Sequence, residues 1–144
     1  MAILRLDDLF SIRSHLDKSQ REFAAMLGVS TRAIQSYEQG WRSTPDHVLC
    51  KAVFMVYIVR RRSASKIRPC WELLGCKPED LKKCQAYVLD AGDLCWLVTG
   101  TVCDHKTHKT WRSKIAHCNK CPALTQWLEV DQAGKPRAPK SPRN

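Results

Sequence analysis

"SQREFAAMLGVSTRAIQSYEQGWRSTP", residues 19–45, decides how the first half of this chain folds. Phe23, Ala24 and Leu27 are spaced as one face of a short helix, which Gly28 ends. Ser30 is placed to cap a second helix running to about Glu38, and Gly40 ends that one. Ala24 is small where two helices must cross closely. Gly28 can take the left-handed backbone of a tight turn without a Cβ clash. Val29 and Ile34 supply apolar wedges, and Tyr37 is expected to turn inward against the next helix, whose entry Pro45 sets.

Working outward, Leu6, Leu9, Phe10, Ile12 and Leu16 space as one face of a preceding helix. Val48 to Val59 form a longer, more apolar fourth one that ends in "RRR". Two short helices locked at a fixed angle make a helix-turn-helix, in which the outward residues at the start of the second meet base edges in the major groove. Here those are Thr31, Arg32, Gln35 and Ser36. An arginine can fork onto guanine and a glutamine can pair bidentately with adenine, so Arg32 and Gln35 are the expected base readers. Gln20 opens the first of the two helices, where its side chain and backbone N–H can hold a phosphate.

The pattern Q-x3-A-x3-G-V-S-x4-I-x2-Y-E-x-G-x4-P over residues 20–45 resembles the lambda Cro and repressor family of helix-turn-helix domains, without a gap. The resemblance implies a compact bundle of four or five helices that binds double-stranded operator DNA as a homodimer. In this chain the fourth helix is long and apolar, and no separate fifth is evident.

The charge agrees with a polyanionic partner. The 144 residues carry 24 Lys and Arg against 14 Asp and Glu, a formal net charge of +10. Twelve of the basic residues and six of the acidic ones lie before Pro69, so the excess falls where the DNA-reading pattern falls. "MAILRLDDLF" has carboxylates where a secretory signal wants lysines. The most apolar stretch, 48–59, is well short of the ~20 residues of a membrane span. The expected location is therefore the cytoplasm, with no membrane partner. In that reducing compartment, eight cysteines point to metal or redox work rather than structural disulfides.

Seven of them follow a basic linker at 63–69: Cys70, Cys76, Cys84, Cys95, Cys103, Cys118 and Cys121, all candidate metal ligands. Cys50, within the fourth helix, reads as a buried packing residue. Only "CNKC" (118–121) has the short spacing that chelates one metal from a tight turn. One zinc or one cubane cluster takes four thiolates, so three cysteines are left for a second site, a reversible disulfide or packing. Zinc modules usually show two CxxC-like knuckles, and this chain has one. An iron–sulfur cluster tolerates irregular spacing because it spans several ångströms and gathers ligands from separate loops. "HKTH" (105–108) and His117 can add imidazoles, although histidines in a lysine-rich loop more often face solvent. Trp71 and Trp96 each follow a cysteine, where an indole can shed water from a metal centre or simply fill a small core.

Residues 70–121, "CWE…C…C…CW…GTVC…K…C-x2-C", resemble the two-CW domain, named for its two Cys-Trp pairs. The resemblance implies a signalling or sensory accessory module of bacteria and archaea, often attached to regulatory domains.

The expectation is a mainly α protein. A helix-turn-helix bundle spans 1–62, and a small, irregular cysteine-rich domain, stabilised by metal or cluster, spans 70–129. A basic, unstructured tail follows at 130–144. Its expected role is a transcription regulator, not an enzyme, whose cysteines bind an iron–sulfur cluster, in the four-iron form, and make DNA binding redox- or metal-dependent. The alternative is a DNA-binding protein with a zinc-held platform for dimerisation or a protein partner. A thiol–disulfide exchange role for "CNKC" would need a thioredoxin-like frame that this segment is too short to supply. No Ser–His–Asp arrangement, phosphate loop or nucleotide fingerprint is present.

Overall fold

The computed structural model describes residues 4–62, 67–103 and 106–128. It divides between Ile58 and Val59 into two compact units, which are taken in turn. The start of the linker (63–66), His105 and the tail beyond Leu128 lie outside the described residues.

The first unit is built from α1 (Leu9–His15), α2 (Gln20–Leu27), α3 (Thr31–Glu38) and α4 (Asp46–Arg60). α1 starts later than Leu6 because Asp8 caps it, its carboxylate accepting the Ser11 N–H at 3.2 Å. Leu6, Leu9 and Ile12 are buried as expected. Phe10 is not: it is 51% exposed, with the Arg13 guanidinium 5.3 Å from its ring centre. Ser19 and Glu22 close a reciprocal capping box on α2, with both N–H···O contacts at 3.0 Å. Phe23, Leu27, Ile34, Leu49 and Val53 meet in the core. Burying each such side chain contributes about 2 kcal/mol before the entropy of ordering it is subtracted.

The second unit uses short pieces. They are α5 (Cys70–Leu74), α6 (Pro78–Leu81), α7 (Gln85–Val88), a 3₁₀ turn (Cys95–Leu97), α8 (Trp111–Cys118) and α9 (Pro122–Thr125). A two-residue antiparallel pairing of β1 (Val102–Cys103) with β2 (Lys106–Thr107) lies between the 3₁₀ turn and α8. Apart from α8, these segments are too short to have a helical face of their own, so aromatic rings supply much of the core. Trp96 and Trp127 are fully buried with ring centres 5.9 Å apart, and the Trp111 indole N–H donates to the Trp96 carbonyl at 3.0 Å. Trp71 is half-buried, its ring edge-on to Tyr87. Gln126 ties the entry of this unit to its end, exchanging two 2.8 Å hydrogen bonds with the backbone of Arg68. Gly92 lies against Pro69, where a Cβ would come within 2.4 Å of the proline ring, and its carbonyl accepts the Cys70 N–H. The chain is therefore mainly α, with a helix-turn-helix unit first and an irregular cysteine-rich unit after it. Among the described residues no helix is long and apolar enough to cross a membrane.

Candidate nucleic-acid interface and thiol cluster

The turn between α2 and α3 is fixed by backbone chemistry. Gly28 takes φ 72°, and the Val29 N–H reaches back to the Ala24 carbonyl at 3.0 Å. Ser30 then caps α3 by accepting the Ala33 N–H at 3.0 Å. Ala33 and Ile34 face the core, which turns the opposite side of α3 outward. Arg32 and Gln35 are exposed on that side, and Thr31 and Ser36 are half-buried beside them. The four expected reading residues thus share one strip at the start of the helix.

Gln20 is placed differently from expectation. Its carboxamide nitrogen donates to Glu38 Oε1 at 2.9 Å, so that donor faces α3. Glu38 in turn accepts two bonds from Arg13, at 2.6 and 3.0 Å, and Arg13 also donates to the Lys18 carbonyl. This bidentate pair is largely out of water, at 16% and 6% side-chain exposure, and it locks α1, α2 and the end of α3 into one frame. The N–H of Gln20, in the first turn of α2, remains directed at the helix N-terminus, where phosphate contacts form.

One surface residue was missed by sequence reasoning. Trp41 follows α3 and is 74% exposed, and Arg42 beside it lays its guanidinium 5.1 Å from the Tyr37 ring centre. Tyr37 is accordingly half-buried rather than wholly inward. The available signal was an indole inside the polar turn "EQGWRSTP".

In the second unit the cysteines occupy element ends. Cys70 opens α5, Cys84 precedes α7, Cys95 opens the 3₁₀ turn and Cys103 lies on β1. Cys118 closes α8 and Cys121 caps α9, with the Cys121 N–H donating to the Cys118 carbonyl at 2.9 Å. These six are buried and Cys76 is half-buried, as is Cys50 in α4, and all eight are free thiols. Cys70 and Cys95 share a hydrogen bond that lowers Cys95 and raises Cys70. Burial pushes Cys118 up to about 12 in spite of the charge on Lys114, and it raises Cys76 and Cys121 as well. Lys114 is itself fully buried, and its ammonium donates to Thr101 Oγ1 and, at 3.2 Å, to Cys103 Sγ. Burial lowers its pKa, but Cys118, Cys103 and Cys95 together with the bond to Cys103 outweigh that and leave it raised.

This donor set fits a metal–thiolate centre in its chemistry. Six buried sulfurs make no disulfide, burial raises the pKa of Cys118 and Cys121, and the buried Lys114 ammonium donates to Cys103. Among the described residues no three Cys, His, Asp or Glu side chains converge tightly enough to hold a single ion. A multi-iron cluster asks less of the thiolates, which surround it rather than meet at a point. The His108 and His117 rings stack 4.9 Å apart, with His108 Nδ1 3.2 Å from Ser113 Oγ. A shallow cleft lined by Leu74, Ala116, His117, Lys120, Cys121 and Pro122 brings solvent to the CxxC turn.

Comparison with known families now fixes the first unit. The family model described as helix-turn-helix matches residues 9–52, spanning α1 to the middle of α4. That stretch is a helix-turn-helix domain of the Cro/C1 type. Residues 53–144 fall outside the match. No curated protein and no solved structure matches the chain.

Proposed function

We propose that the protein is a cytoplasmic transcription regulator. In this reading its N-terminal domain binds operator DNA as a homodimer, and its cysteine-rich unit, of two-CW type, holds a metal–thiolate centre that makes binding conditional. The observation that carries the proposal is the joining of two features in one chain. A helix-turn-helix presents Arg32 and Gln35 outward, and it is followed by a unit that buries six free thiols, one of which accepts from the buried Lys114. An iron–sulfur cluster is the preferred occupant, because thiols spread over five separate segments suit a cluster better than one tetrahedral ion. Held by four of Cys70, Cys76, Cys84, Cys95, Cys103, Cys118 and Cys121, it would supply electron storage and sensitivity to oxidants. The chain's own part is to exclude water with Trp96, Trp111 and Trp127 and to tie the thiolates to the packing of the whole unit. Loss of the centre then loosens that unit, and the coupling changes the geometry offered to DNA.

On the DNA side, Arg32 is the specificity determinant, and Trp41 with Arg42 flanks it as a backbone contact. Arg32→Ala should lower affinity for a selected duplex by ~1–3 kcal/mol and relax preference at one base position. Trp41→Ala should weaken all duplexes alike, since a ring against sugar and phosphate carries no base information. Competitive binding on a randomised duplex pool separates the two patterns. Unchanged base preference in Arg32→Ala would move the reading surface off the start of α3.

A further inference from the structure

Lys114 has no exposed surface, yet its hydrogen-bond partners are a hydroxyl and a thiol rather than a carboxylate. Among the described residues Lys114 forms no ion pair with a carboxylate. A buried ammonium needs a negative partner, because desolvation without one is prohibitive. Among the described residues, the groups near it that can carry negative charge are the sulfurs of Cys103, Cys118 and Cys95. Lys114 lies one helical turn before Cys118 on α8, and Cys103 lies on β1 at 3.2 Å. Thr101 and Cys103 are both buried, with half-buried Val102 between them, which is the alternation of an extended strand. Gly100, at φ 83°, makes the turn into that strand. The Thr101 hydroxyl is thereby set to aim the ammonium, and it also lies 3.7 Å from Cys103 Sγ.

Four thiolates bring more negative charge than a zinc ion or a cubane cluster cancels, and in a buried site that excess needs a counter-charge. We propose that Lys114 is the positioning residue and counter-ion of the metal–thiolate centre, its ammonium donating an N–H···S hydrogen bond to the Cys103 thiolate and offsetting the net negative charge of the thiolates around it. The proposal rests on the metal-centre reading above. It assigns Cys103 and Cys118 to the ligand set, and it explains why the lysine and the Gly-Thr-x-Cys strand occur together. Partners just outside the ligands commonly change metal retention by about ten- to a hundredfold.

The decisive substitution is Lys114→Met, which keeps the length of the side chain and removes its charge and donors. Its effect has opposite signs in the two states. In metal-loaded protein it removes the counter-charge, whereas in metal-free protein it removes a buried ammonium whose sulfur partners no metal holds as thiolates. Full-length wild type and variant would be purified without oxygen and assayed for iron, zinc and sulfide. Each would then be challenged with a chelator and melted by tryptophan emission, which four tryptophans in the second unit dominate (Trp71, Trp96, Trp111 and Trp127). The expected result is metal loss to chelator at least about tenfold faster in the variant, with metal-free variant melting no lower than metal-free wild type. If the centre contains iron, its midpoint potential should shift negative, because the lost positive charge had favoured the reduced form. Wild-type metal retention together with an unshifted potential in Lys114→Met would overturn the inference and leave the metal reading standing. A wild type that binds no metal, and melts below Lys114→Met, would overturn both. Should Lys114→Met not fold, Thr101→Val carries the test. It keeps the charge but frees its direction, so faster metal loss is expected and an unchanged rate would overturn the inference.

Discussion

Cys118→Ser combined with Cys121→Ser should abolish metal binding and unfold the chain from about Pro69 onward, while the helices of the N-terminal domain survive. Cys118 and Cys121 are the last residue of α8 and the cap of α9, and they are 2% and 7% exposed. Two intervening residues let both thiolates face one centre. The same turn joins α8 to the helix on which α5 and the Gln126 clasp rest. Structural metal sites contribute on the order of 10 kcal/mol to folding, far more than the short helices of this unit can replace. The N-terminal domain has its own core around Phe23, Ile34 and Leu49 and does not need the centre. Metal analysis, limited proteolysis and far-ultraviolet circular dichroism read the three outcomes. A double variant that retains metal and resists protease after Pro69 would contradict the expectation.

The second large effect is at Arg13. Its guanidinium and the Glu38 carboxylate form a bidentate pair in a mostly buried setting, with Gln20 joined to the same carboxylate. Arg13→Met leaves Glu38 charged with one neutral donor, and removing one partner of such a pair costs about 3 kcal/mol or more. The pair also sets Gln20 and the end of α3, so DNA affinity should fall in proportion to the misfolded fraction and to the lost frame. Replacing both residues, Arg13→Met with Glu38→Leu, should recover most of the stability, since an apolar pair of similar volume is close to neutral. Urea unfolding followed by ellipticity measures both. A single variant within about 0.5 kcal/mol of wild type would show that the pair is not a structural lock.

The helix-turn-helix was legible because its signals are local. Gly28, Ser30 and the apolar triplet Phe23–Ala24–Leu27 each act over three or four residues, and all agree on the same boundaries. The link from Gln20 to Glu38 was not legible, because it bridges 18 residues and exists only once α2 and α3 are docked. Phe10 misled for the opposite reason: its spacing fits the buried face of α1, yet it faces solvent beside Arg13. In the second unit the order of Cys, Trp and Gly-Thr could be read, but helices of four or five residues leave no periodicity to detect. Lys114 could have been suspected. Trp111, Lys114, Ile115 and Cys118 fall on one helical face, and all four are buried. A lysine among apolar residues at that spacing is placed to point at whatever the face encloses.

Coupling between the two units is the centre of the account, and the affinity of one duplex for two forms of the same protein tests it most directly. Duplex selected by anaerobically purified wild type from a random pool would be titrated with that protein. The titration would be repeated after the metal is removed by chelator, at one fixed salt concentration because phosphate contacts make affinity salt-dependent. The account predicts a shift of at least about fivefold in the dissociation constant, the lower end of ordinary allosteric coupling. It also predicts that the shift reverses when the centre is rebuilt. Equal affinity for the metal-loaded and metal-stripped protein would contradict it, and would leave a DNA-binding domain joined to a cysteine unit that has no bearing on DNA binding.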